Sequence, residues 1–455
     1  MFPLLFVPTS ISPPTSLKTL GALLLLLLAL PVNSVVVVIS LLWQAVRQGL
    51  SPGPIPDHNG QTIMLTGGKM TKALHLARSF HRAGHRVVLV ETHKYGLTGH
   101  RFSNAIDRFY TVPAPQSNPE GYTQSLLAIA KAEGVDVYVP VCSPVSSYYD
   151  SLAKAALSGC CRVFHFDAEV TRILDDKFAF AEQARSLGLS VPKSFKITDP
   201  QQVLNFDFSQ EQRPYILKSI PYDSVRRLNL TKLPCSTPEE TAAFVEGLPI
   251  SEERPWILQE FVSGQEYCTH STVKNGELRL HCCCESSAFQ VNYEQVEMPQ
   301  ICHWVSHFVQ ALGLTGQASF DFIQAEDGTP YAIECNPRTH SAITLFDDAA
   351  GVADAYLGAA PFSEPLQPSP DSRPTYWLYH ELWRLMTAKS LQQFQSRLQV
   401  ILQGKDAIFD IQDPLPFLMV HHWQIPLLLL DNLRQGSGWV RIDFNIGKLV
   451  ELGGD

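Results

Sequence analysis

The sequence predicts a multidomain protein of mixed α/β and α+β class, in which a Rossmann-like domain follows an apolar N-terminal helix. An apolar stretch without charges opens the chain, a strand–helix–strand alternation follows, and short strands without intervening helices dominate the middle. The chain has 455 residues, 45% of them hydrophobic. Because domains usually hold roughly 100 to 200 residues, this length predicts several cores.

The N-terminal stretch Leu20–Trp43 is uncharged and about as long as a helix that crosses a bilayer. It predicts a single anchoring helix, and residues 1–50 are assigned as a hydrophobic membrane-anchor segment. A cleaved signal peptide would end near Ser34 and leave a mature chain that starts with five aliphatic residues, which is unusual for a soluble domain. A segment that lies at the membrane without crossing it is a further alternative, because Pro31 interrupts the stretch.

The basic residues around this stretch indicate its orientation. Lys18 precedes it, and Arg47 and further lysines and arginines follow it. Since basic residues flanking a membrane helix favour the cytoplasmic side, the catalytic part is predicted to be cytoplasmic.

A linker is predicted over residues 51–61, where three prolines and two glycines occur without apolar periodicity. An α/β domain is predicted over residues 62–168. It opens with the strand Thr62–Thr66, the helix Met70–Ala83 and the strand Arg86–Glu91, and this βαβ unit favours a parallel sheet. The Gly67-Gly68 turn lacks the full phosphate-loop spacing, so it is interpreted as a tight turn before the helix.

The remainder of the chain is divided at a proline-rich joint after Ala360. Residues 169–362 form the second predicted domain, and residues 363–455 form a C-terminal region expected to pack against it. A net charge of −9 and a pI near 5.9 exclude an extended nucleic-acid surface. The ten cysteines contain no paired zinc motifs, which favours a reduced compartment. Small-molecule chemistry is the function class that remains.

A β-hairpin carries the most informative residues. The strands Ser319–Ile323 and Tyr331–Asn336 flank Asp327-Gly328, which is a strong signal for a hairpin turn. If the turn is centred there, residues whose numbers sum to 655 face each other, so Asp321 lies opposite Glu334.

The two faces of this predicted hairpin differ in character. Asn336 lies two residues beyond Glu334 and therefore joins both carboxylates on one face. The other face carries the apolar row Phe320, Phe322, Tyr331, Ile333 and Cys335. Facing carboxylates repel each other unless a cation lies between them, and hard oxygen ligands suit Mg²⁺. A solvated sheet face would have the same spacing, so the hairpin alone leaves both interpretations open.

Two lysines are candidates for binding phosphates. Lys218 ends the apolar run Tyr215–Lys218, where an ammonium group needs an anionic partner or access to solvent. Lys177 follows two aspartates and could equally lie on a solvated helix surface.

The order of these features resembles the ATP-grasp superfamily from about residue 170 to residue 360. It comprises Lys177, Lys218, the segment Gln259–Glu266, Asp321 and the segment Glu334–Arg338. Each element is common by itself, but their order and spacing together are specific. The resemblance implies an ATP-grasp fold preceded by a Rossmann-like domain of the kind that precedes ATP-grasp domains, and an ATP-dependent ligase activity that forms a C–N bond.

The resemblance also implies roles for the residues. Lys177 and Lys218 would hold the phosphates, with Lys218 and Arg338 acting on the transferred phosphoryl group. For the nucleoside, the implied ligands are the main chain of Glu260, Phe261 and Val262 at the adenine and the carboxylate of Glu266 at the ribose. For the metal, Mg²⁺ or alternatively Mn²⁺, they are Asp321, Glu334 and Asn336.

One segment departs from the family pattern. Many ATP-grasp enzymes have a glycine-rich phosphate lid after the second lysine, whereas this chain has Pro221–Arg227 there. Ser224 and Arg226 are expected to contact phosphates through their side chains instead.

Within the superfamily, the soluble length resembles the mycosporine-glycine synthases of cyanobacteria, including the tail segments Trp423–Pro426 and Trp439–Asn445. That resemblance implies the joining of glycine to the cyclohexenone 4-deoxygadusol through a phosphorylated enol. His340 and Ser341, just after Arg338, are candidates for substrate contact, although His340 could equally cap a loop. The alternatives are a carboxylate–amine ligase that acts through an acyl phosphate and a membrane-tethered nucleotide-binding protein without turnover.

Overall fold

The computed structural model describes residues 15–50, 60–141, 143, 146–221, 226, 229–286 and 292–451. The described strands are β1 (Thr62–Leu65), β2 (Arg86–Thr92), β3 (Arg108–Val112), β4 (Val137–Val139), β5 (Arg162–Val163), β6 (Ser194–Ile197), β7 (Tyr215–Ser219), β8 (Trp256–Glu260), β9 (Gly264–Lys274), β10 (Glu277–Glu285), β11 (Asn292–Tyr293), β12 (Gly316–Ala325), β13 (Pro330–Asn336), β14 (Thr375–Tyr376), β15 (Lys405–Asp406), β16 (Trp439–Asp443) and β17 (Lys448–Glu451).

The described α-helices lie before and between these strands along the chain. They are α1 (Thr15–Leu50), α2 (Thr71–Arg82), α3 (Pro119–Glu133), α4 (Ser147–Leu157), α5 (Ala168–Asp175), α6 (Lys177–Ser186), α7 (Pro200–Leu204), α8 (Pro238–Glu246), α9 (Pro299–Ala311), α10 (Ala349–Leu357), α11 (Leu378–Met386), α12 (Leu391–Gln403), α13 (Leu415–Met419) and α14 (Ile425–Gln435).

The first folded unit after α1 is a five-stranded parallel sheet in the order β3-β2-β1-β4-β5. The predicted βαβ unit is present, and the turn before α2 has Gly67 at φ 69°, a conformation that favours glycine. Strand β4 has only three residues. Pro140 follows its last residue and has no N–H to donate to the ladder.

Two antiparallel sheets form the next unit. The smaller has the order β6-β8-β7, and the larger has the order β10-β9-β12-β13. Helix α9 covers one face of the larger sheet, where Trp304 and Phe308 stack with ring centroids 5.3 Å apart and also contact Phe320. This aromatic core leaves the opposite face of β12 and β13 for polar side chains.

The predicted register of the β12–β13 hairpin is correct on the side of a β-bulge that is farther from the turn. Between the bulge and the turn it is wrong by one residue. Asp321 pairs with Glu334 as predicted, but the register then shifts, and Phe322 faces Ala332. The bulge places one extra residue in β13, so Ala332 is buried with Phe322 while Tyr331 and Ile333 leave the core. The prediction that Tyr331 and Ile333 belong to the buried face is therefore wrong, and Arg213 lies over the Tyr331 ring instead.

The predicted N-terminal apolar helix is confirmed as α1, which is long and apolar enough to cross a membrane. Residues 51–59 of the predicted linker lie outside the described residues. A narrow stripe of α1 is buried against the C-terminal region, and Thr19, Leu26, Asn33 and Ser40 recur in it every seven residues. This stripe is mostly polar, whereas the leucines and valines around it are exposed.

The C-terminal region was expected to pack against the second domain. In the structure it packs on both preceding units. Strand β14 pairs with β11 beside the larger sheet. Toward the parallel-sheet unit, Arg78 of α2 donates to the Asp413 carboxylate at 2.8 Å and to the Ile408 carbonyl at 2.9 Å. Ser103 and Asn104 also donate to Asp413, so this buried carboxylate joins the two units.

We predict that Arg78→Ala lowers the free energy of unfolding by about 3–5 kcal/mol, because it leaves the buried Asp413 carboxylate without its cation. Arg82→Ala is the matched control on the same helix. Its partner Asp410 and its own side chain are partly exposed, so the expected loss is below about 1 kcal/mol. Urea unfolding at pH 7 measures both values, and equal losses would show that the buried pair does not stabilise this contact.

Candidate active site

The polar face of the β12–β13 hairpin brings Asp321, Glu334 and Asn336 together. The Asn336 amide donates to the Asp321 carboxylate at 3.4 Å, and the Asn336 side-chain oxygen accepts from the Arg338 guanidinium. Asp321 lies directly opposite Glu334 in the ladder. Two carboxylates and an amide oxygen thus share one face, as the hairpin register predicts.

Three cations converge on these carboxylates from different elements. Lys177, the first residue of α6, places its Nζ 3.4 Å from Glu334. Lys218 extends from β7 of the smaller sheet, and Arg338 follows β13 and places a guanidinium nitrogen 3.6 Å from Asp175. The site is therefore formed between the two antiparallel sheets, with the larger sheet providing the carboxylates.

The residues before Lys177 have separate structural roles. Asp176 caps α6, since its carboxylate accepts from the N–H groups of Phe178 and Ala179 at 2.9 Å. Asp175 pairs with Arg338, a contact that the sequence analysis missed. Both aspartates hold the cations of the site in place, so the interpretation of a merely solvated helix surface does not hold.

The two facing carboxylates have opposite pKa shifts. Burial, with the nearby Glu334 and Glu266 carboxylates, raises the pKa of Asp321 to about 7. For Glu334, burial also acts to raise the pKa, but Lys177, Lys218 and Arg338 together lower it below its ordinary value. The positive charge near Asp321 is therefore too small to stabilise its ionised form against burial and the neighbouring carboxylates.

The Lys218 ammonium experiences the same electrostatic environment from the opposite sheet. Burial lowers its pKa, the Lys177 charge lowers it further, and the carboxylates of Glu334, Glu266 and Asp321 raise it. Lys218, on β7 of the smaller sheet, thus lies close enough to these carboxylates for their charges to act on it. An anionic ligand bound there would compensate the burial of this ammonium group.

The predicted nucleoside ligands lie at the end of β8 and the start of β9. The N–H groups of Glu260 and Phe261 already donate to the carbonyls of Lys193 and Pro214, at 2.8 and 2.7 Å. An adenine would therefore have to use other main-chain groups of this segment, including those of the buried Val262. Glu266 pairs with Ile323 in the ladder and lies close enough to influence Asp321 and Lys218.

Two of the remaining candidate residues concern the lid. Ser224 lies outside the described residues. Arg226 is described, in a turn in which the Asn229 N–H donates to its carbonyl oxygen. Their predicted contacts with phosphates remain predictions.

His340 has the capping role that the sequence analysis named as its alternative. Its Nδ1 accepts from the Ala342 N–H at 3.3 Å, at the start of a 3₁₀ turn, and its ring contacts Tyr293 edge-on. Burial, with the charges of Lys72 and Arg338 nearby, lowers the pKa of His340 to about 3. The neutral ring fits a capping acceptor, and substrate contact by His340 stays a prediction.

Ser341 connects the site to the C-terminal region, a contact that the sequence did not reveal. Its hydroxyl donates to the Asn445 side-chain oxygen at 2.9 Å, and the Asn445 carbonyl accepts from the Thr71 N–H. Lys72 donates to the Thr339 carbonyl at 2.5 Å. Parts of the chain separated by more than a hundred residues thus meet at the rim, and no local sequence pattern could have indicated it.

Comparison with protein families identifies this part of the chain. Residues 174–342 match the model of the ATP-grasp domain family. The chain contains an ATP-grasp domain. The predicted ATP-grasp fold is confirmed, and with it the prediction that the protein is an ATP-grasp enzyme. No curated protein matches the chain by sequence.

Several solved structures share the fold of this chain at low sequence identity. Biotin carboxylase from Campylobacter jejuni has 13% identity and a TM-score of 0.52, with 67% of this chain and 72% of that chain covered. N5-carboxyaminoimidazole synthase from Aspergillus clavatus, in complex with ADP, has 14% identity and a TM-score of 0.51, with 70% and 81% covered. The corresponding synthetase from Staphylococcus aureus has 14% identity and a TM-score of 0.50, with 69% and 81% covered.

The polar face of the hairpin fits a divalent cation of the Mg²⁺ type. In the part of the chain that the structure describes, no three His, Cys, Asp or Glu side chains are grouped to hold a metal. Asp321, Glu334 and Asn336 offer two carboxylates and one amide oxygen. This small set of hard ligands suits Mg²⁺, which keeps several waters and binds mainly through nucleotide phosphates. A cation bound there would also supply the positive charge that the ionised Asp321 carboxylate lacks.

We predict that the ligand-free protein loses stability as the pH rises from about 4 to 7, through the Asp321 carboxyl group. Its pKa is higher in the folded than in the unfolded state, so the native state holds a proton that the unfolded chain releases. Asp321→Asn should remove this loss and raise stability at pH 8 by on the order of 1–2 kcal/mol.

Chemical denaturation at several pH values, without nucleotide or metal, measures this effect. Glu326→Gln is the control, because this carboxylate lies exposed in the turn of the same hairpin. A variant Asp321→Asn that is less stable than the parent at pH 8 would contradict the assigned electrostatics.

Proposed function

We propose that the protein is an ATP-dependent ligase that phosphorylates an oxygen atom of a small molecule and then joins an amine at the activated carbon. The observation that carries this proposal is the convergence of Lys177, Lys218 and Arg338 on the facing carboxylates Asp321 and Glu334. Phosphoryl transfer needs positioned positive charge around the phosphates and little covalent chemistry from the protein, and this site supplies such charge.

Each residue of the site has a task in this reaction. Lys177 and Lys218 bind phosphate oxygens. When ATP binds, its phosphates become anionic partners of both lysines in addition to the hairpin carboxylates. Asp321, Glu334 and Asn336 would hold Mg²⁺, which neutralises charge that develops on the bridging phosphate oxygens. For Asn336 this requires that its oxygen exchange Arg338 for the metal, which frees the guanidinium to contact the transferred phosphoryl group.

We assign glycine and 4-deoxygadusol as the substrates, on the resemblance of the soluble chain to mycosporine-glycine synthases. The enol oxygen of the cyclohexenone attacks the γ-phosphorus of ATP, and ADP leaves. The glycine amine then adds to the carbon that bears the phosphate, that C–O bond breaks, and phosphate departs as the amine loses its proton. Without phosphorylation, the enol oxygen is a poor leaving group.

The position of the C-terminal tail supports this assignment. The tail segments in which the resemblance is found include Asn445, which accepts from Ser341, and Gln424, which donates to the Gly447 carbonyl at 2.8 Å. A tail that only covered the far side of the domain would have no influence on the acceptor. Here it contacts Ser341, a candidate substrate residue that follows Arg338 closely in the chain.

Helix α1 supports a proposal about localisation. An exposed apolar helix of this length attaches the enzyme to a membrane, and the consumption of ATP together with the basic residues after α1 favours the cytoplasmic side.

We predict that Lys218→Met lowers kcat/KM for ATP-dependent product formation by roughly 10²–10³-fold, because a positioned cation is lost from the transition state. Lys196→Met is the matched control, on strand β6 of the same sheet with its side chain exposed, and it should retain the parent rate. Initial rates of ADP release measure both. If both variants match the parent, the convergence of charges has no role in catalysis.

We also predict that purified protein with ATP and Mg²⁺ releases ADP when glycine and 4-deoxygadusol are both present, and that mass spectrometry detects their condensation product. A panel of carboxylates with glycine is the comparison. Turnover only with a carboxylate would replace the assigned reaction by amide formation through an acyl phosphate. Nucleotide binding without turnover on any acceptor would contradict the ligase proposal as a whole.

A further inference from the structure

We propose that α1 lies in the plane of a membrane, in one leaflet, with its apolar side among the acyl chains and its polar stripe on the catalytic body. The inference deepens the proposed membrane association and changes its mode, since the sequence analysis predicted a helix that spans the bilayer. It does not depend on the reaction that the site catalyses.

Both ends of α1 are bonded to the folded body. Near the N-terminus, the Lys18 ammonium donates to the carbonyls of Trp439 and Val440, at 3.1 and 2.7 Å. Near the C-terminus, the Gln44 amide donates to the Ile411 carbonyl at 2.5 Å. At 1.5 Å per residue, the helix between them extends about 39 Å, whereas the hydrocarbon core of a bilayer is about 30 Å thick. A body on one side of a bilayer cannot hold both ends of a spanning helix.

The middle of α1 is bonded to the body as well. The Asn33 amide nitrogen lies 2.6 Å from the Tyr379 hydroxyl and 2.7 Å from Nε2 of His422, and Asn33 is only 7% exposed. Thr19 accepts from the Trp439 indole N–H at 2.9 Å. In a spanning helix, Asn33 would lie near the bilayer centre without these partners, which is costly for a primary amide. The docked arrangement satisfies it.

The opposite side of α1 provides the apolar surface that a leaflet would cover. Leu28 and Val32 are each 66% exposed, and Ile39 is 60% exposed. The elements on which α1 packs continue this surface, since Trp423 before α14 and Leu430 within it are exposed too. An apolar patch of this extent on a folded protein marks an interaction surface, and a helix with one polar and one broad apolar side suits the membrane interface.

Charge at the C-terminal end of α1 favours a phospholipid surface over an apolar protein partner. A cavity of about 310 Å³ opens there, lined among others by Trp43, Arg47 and Arg82. Arg47 lies over the Trp43 ring, 5.2 Å from its centroid, and both side chains are exposed. Tryptophan and arginine together are typical of the headgroup layer, where the guanidinium groups bind anionic lipid phosphates.

Labelling with a membrane-impermeant maleimide tests the orientation in the full-length protein, expressed in bacterial membranes. Ser16→Cys and Arg47→Cys place thiols at exposed positions near the two ends of α1, on the side of the polar stripe and not on the side that contacts lipid. In sealed inverted vesicles, each variant should gain one label over the parent, whose exposed Cys160 reports the side of the catalytic body. Gain of label at the two ends from opposite sides of the membrane would overturn the proposal.

Vesicle flotation of the purified chain tests the apolar face. Leu28→Lys should weaken binding to phosphatidylcholine vesicles by about tenfold or more, with an unchanged thermal midpoint, because Leu28 contacts lipid and not the body. Asn33→Leu is the complementary control on the buried stripe, and it should keep vesicle binding while its thermal midpoint falls. Loss of binding in the control alone would overturn the assigned faces.

Vesicles that contain one third phosphatidylglycerol test the basic cavity. The parent should bind them more tightly than phosphatidylcholine alone, Arg47→Glu should abolish that difference, and inorganic phosphate should not compete at equal phosphate concentration. Absence of vesicle binding with formation of a stable dimer would overturn the proposal and assign the apolar face to a second copy. None of these measurements uses ATP turnover, so their failure is distinguishable from failure of the proposed ligase activity.

Discussion

The structure of the site depends on one electrostatic constraint, namely two facing carboxylates that share too little positive charge. Asp321 and Glu334 are held opposite each other by the hydrogen-bond ladder of a hairpin, so neither can move away from the other. Lys177, Lys218 and Arg338 together lower the pKa of Glu334, while the pKa of Asp321 is raised to about 7. A site in this condition favours a divalent cation, and a cation that arrives with its own anionic phosphates also relieves the buried lysine.

The elements that hold these charges follow from ordinary local chemistry. The Asp327-Gly328 turn sets the hairpin, with Gly328 at φ 83°, and the aromatic core under α9 fixes which face of β12 is polar. Asp176 caps α6 and so places Lys177 at the helix start. Rigid elements therefore carry the charged groups on opposite sides of the gap between the two sheets. Such preorganisation is what electrostatic catalysis requires.

The sequence predicted the parts of this arrangement that depend on neighbours along the chain. The pairing of Asp321 with Glu334 was predicted from turn position and strand period, both of which are local, but in the structure it also requires the bulge in β13, since the pairs nearer the turn are shifted by one residue. The bulge in β13 was not predictable in this way, because it depends on how Ala332 and Phe322 fill the core. The contact of Ser341 with Asn445 was also out of reach, since two elements 104 residues apart meet only through tertiary packing.

The same distinction explains why α1 was predicted to cross a membrane. Composition and length reveal the many apolar residues of this helix, but they do not reveal that Thr19, Asn33 and Ser40 form one buried stripe, in which Leu26 completes the recurrence every seven residues. A seven-residue interval keeps side chains on nearly the same face of a helix, so a polar stripe of this kind needs a polar partner along its whole length. The tail that carries Trp439 and Asn445 supplies part of that partner and also reaches the rim of the active site. The docking of α1 and the contact with Ser341 therefore share one segment of chain, so a change in the packing of this tail acts on both.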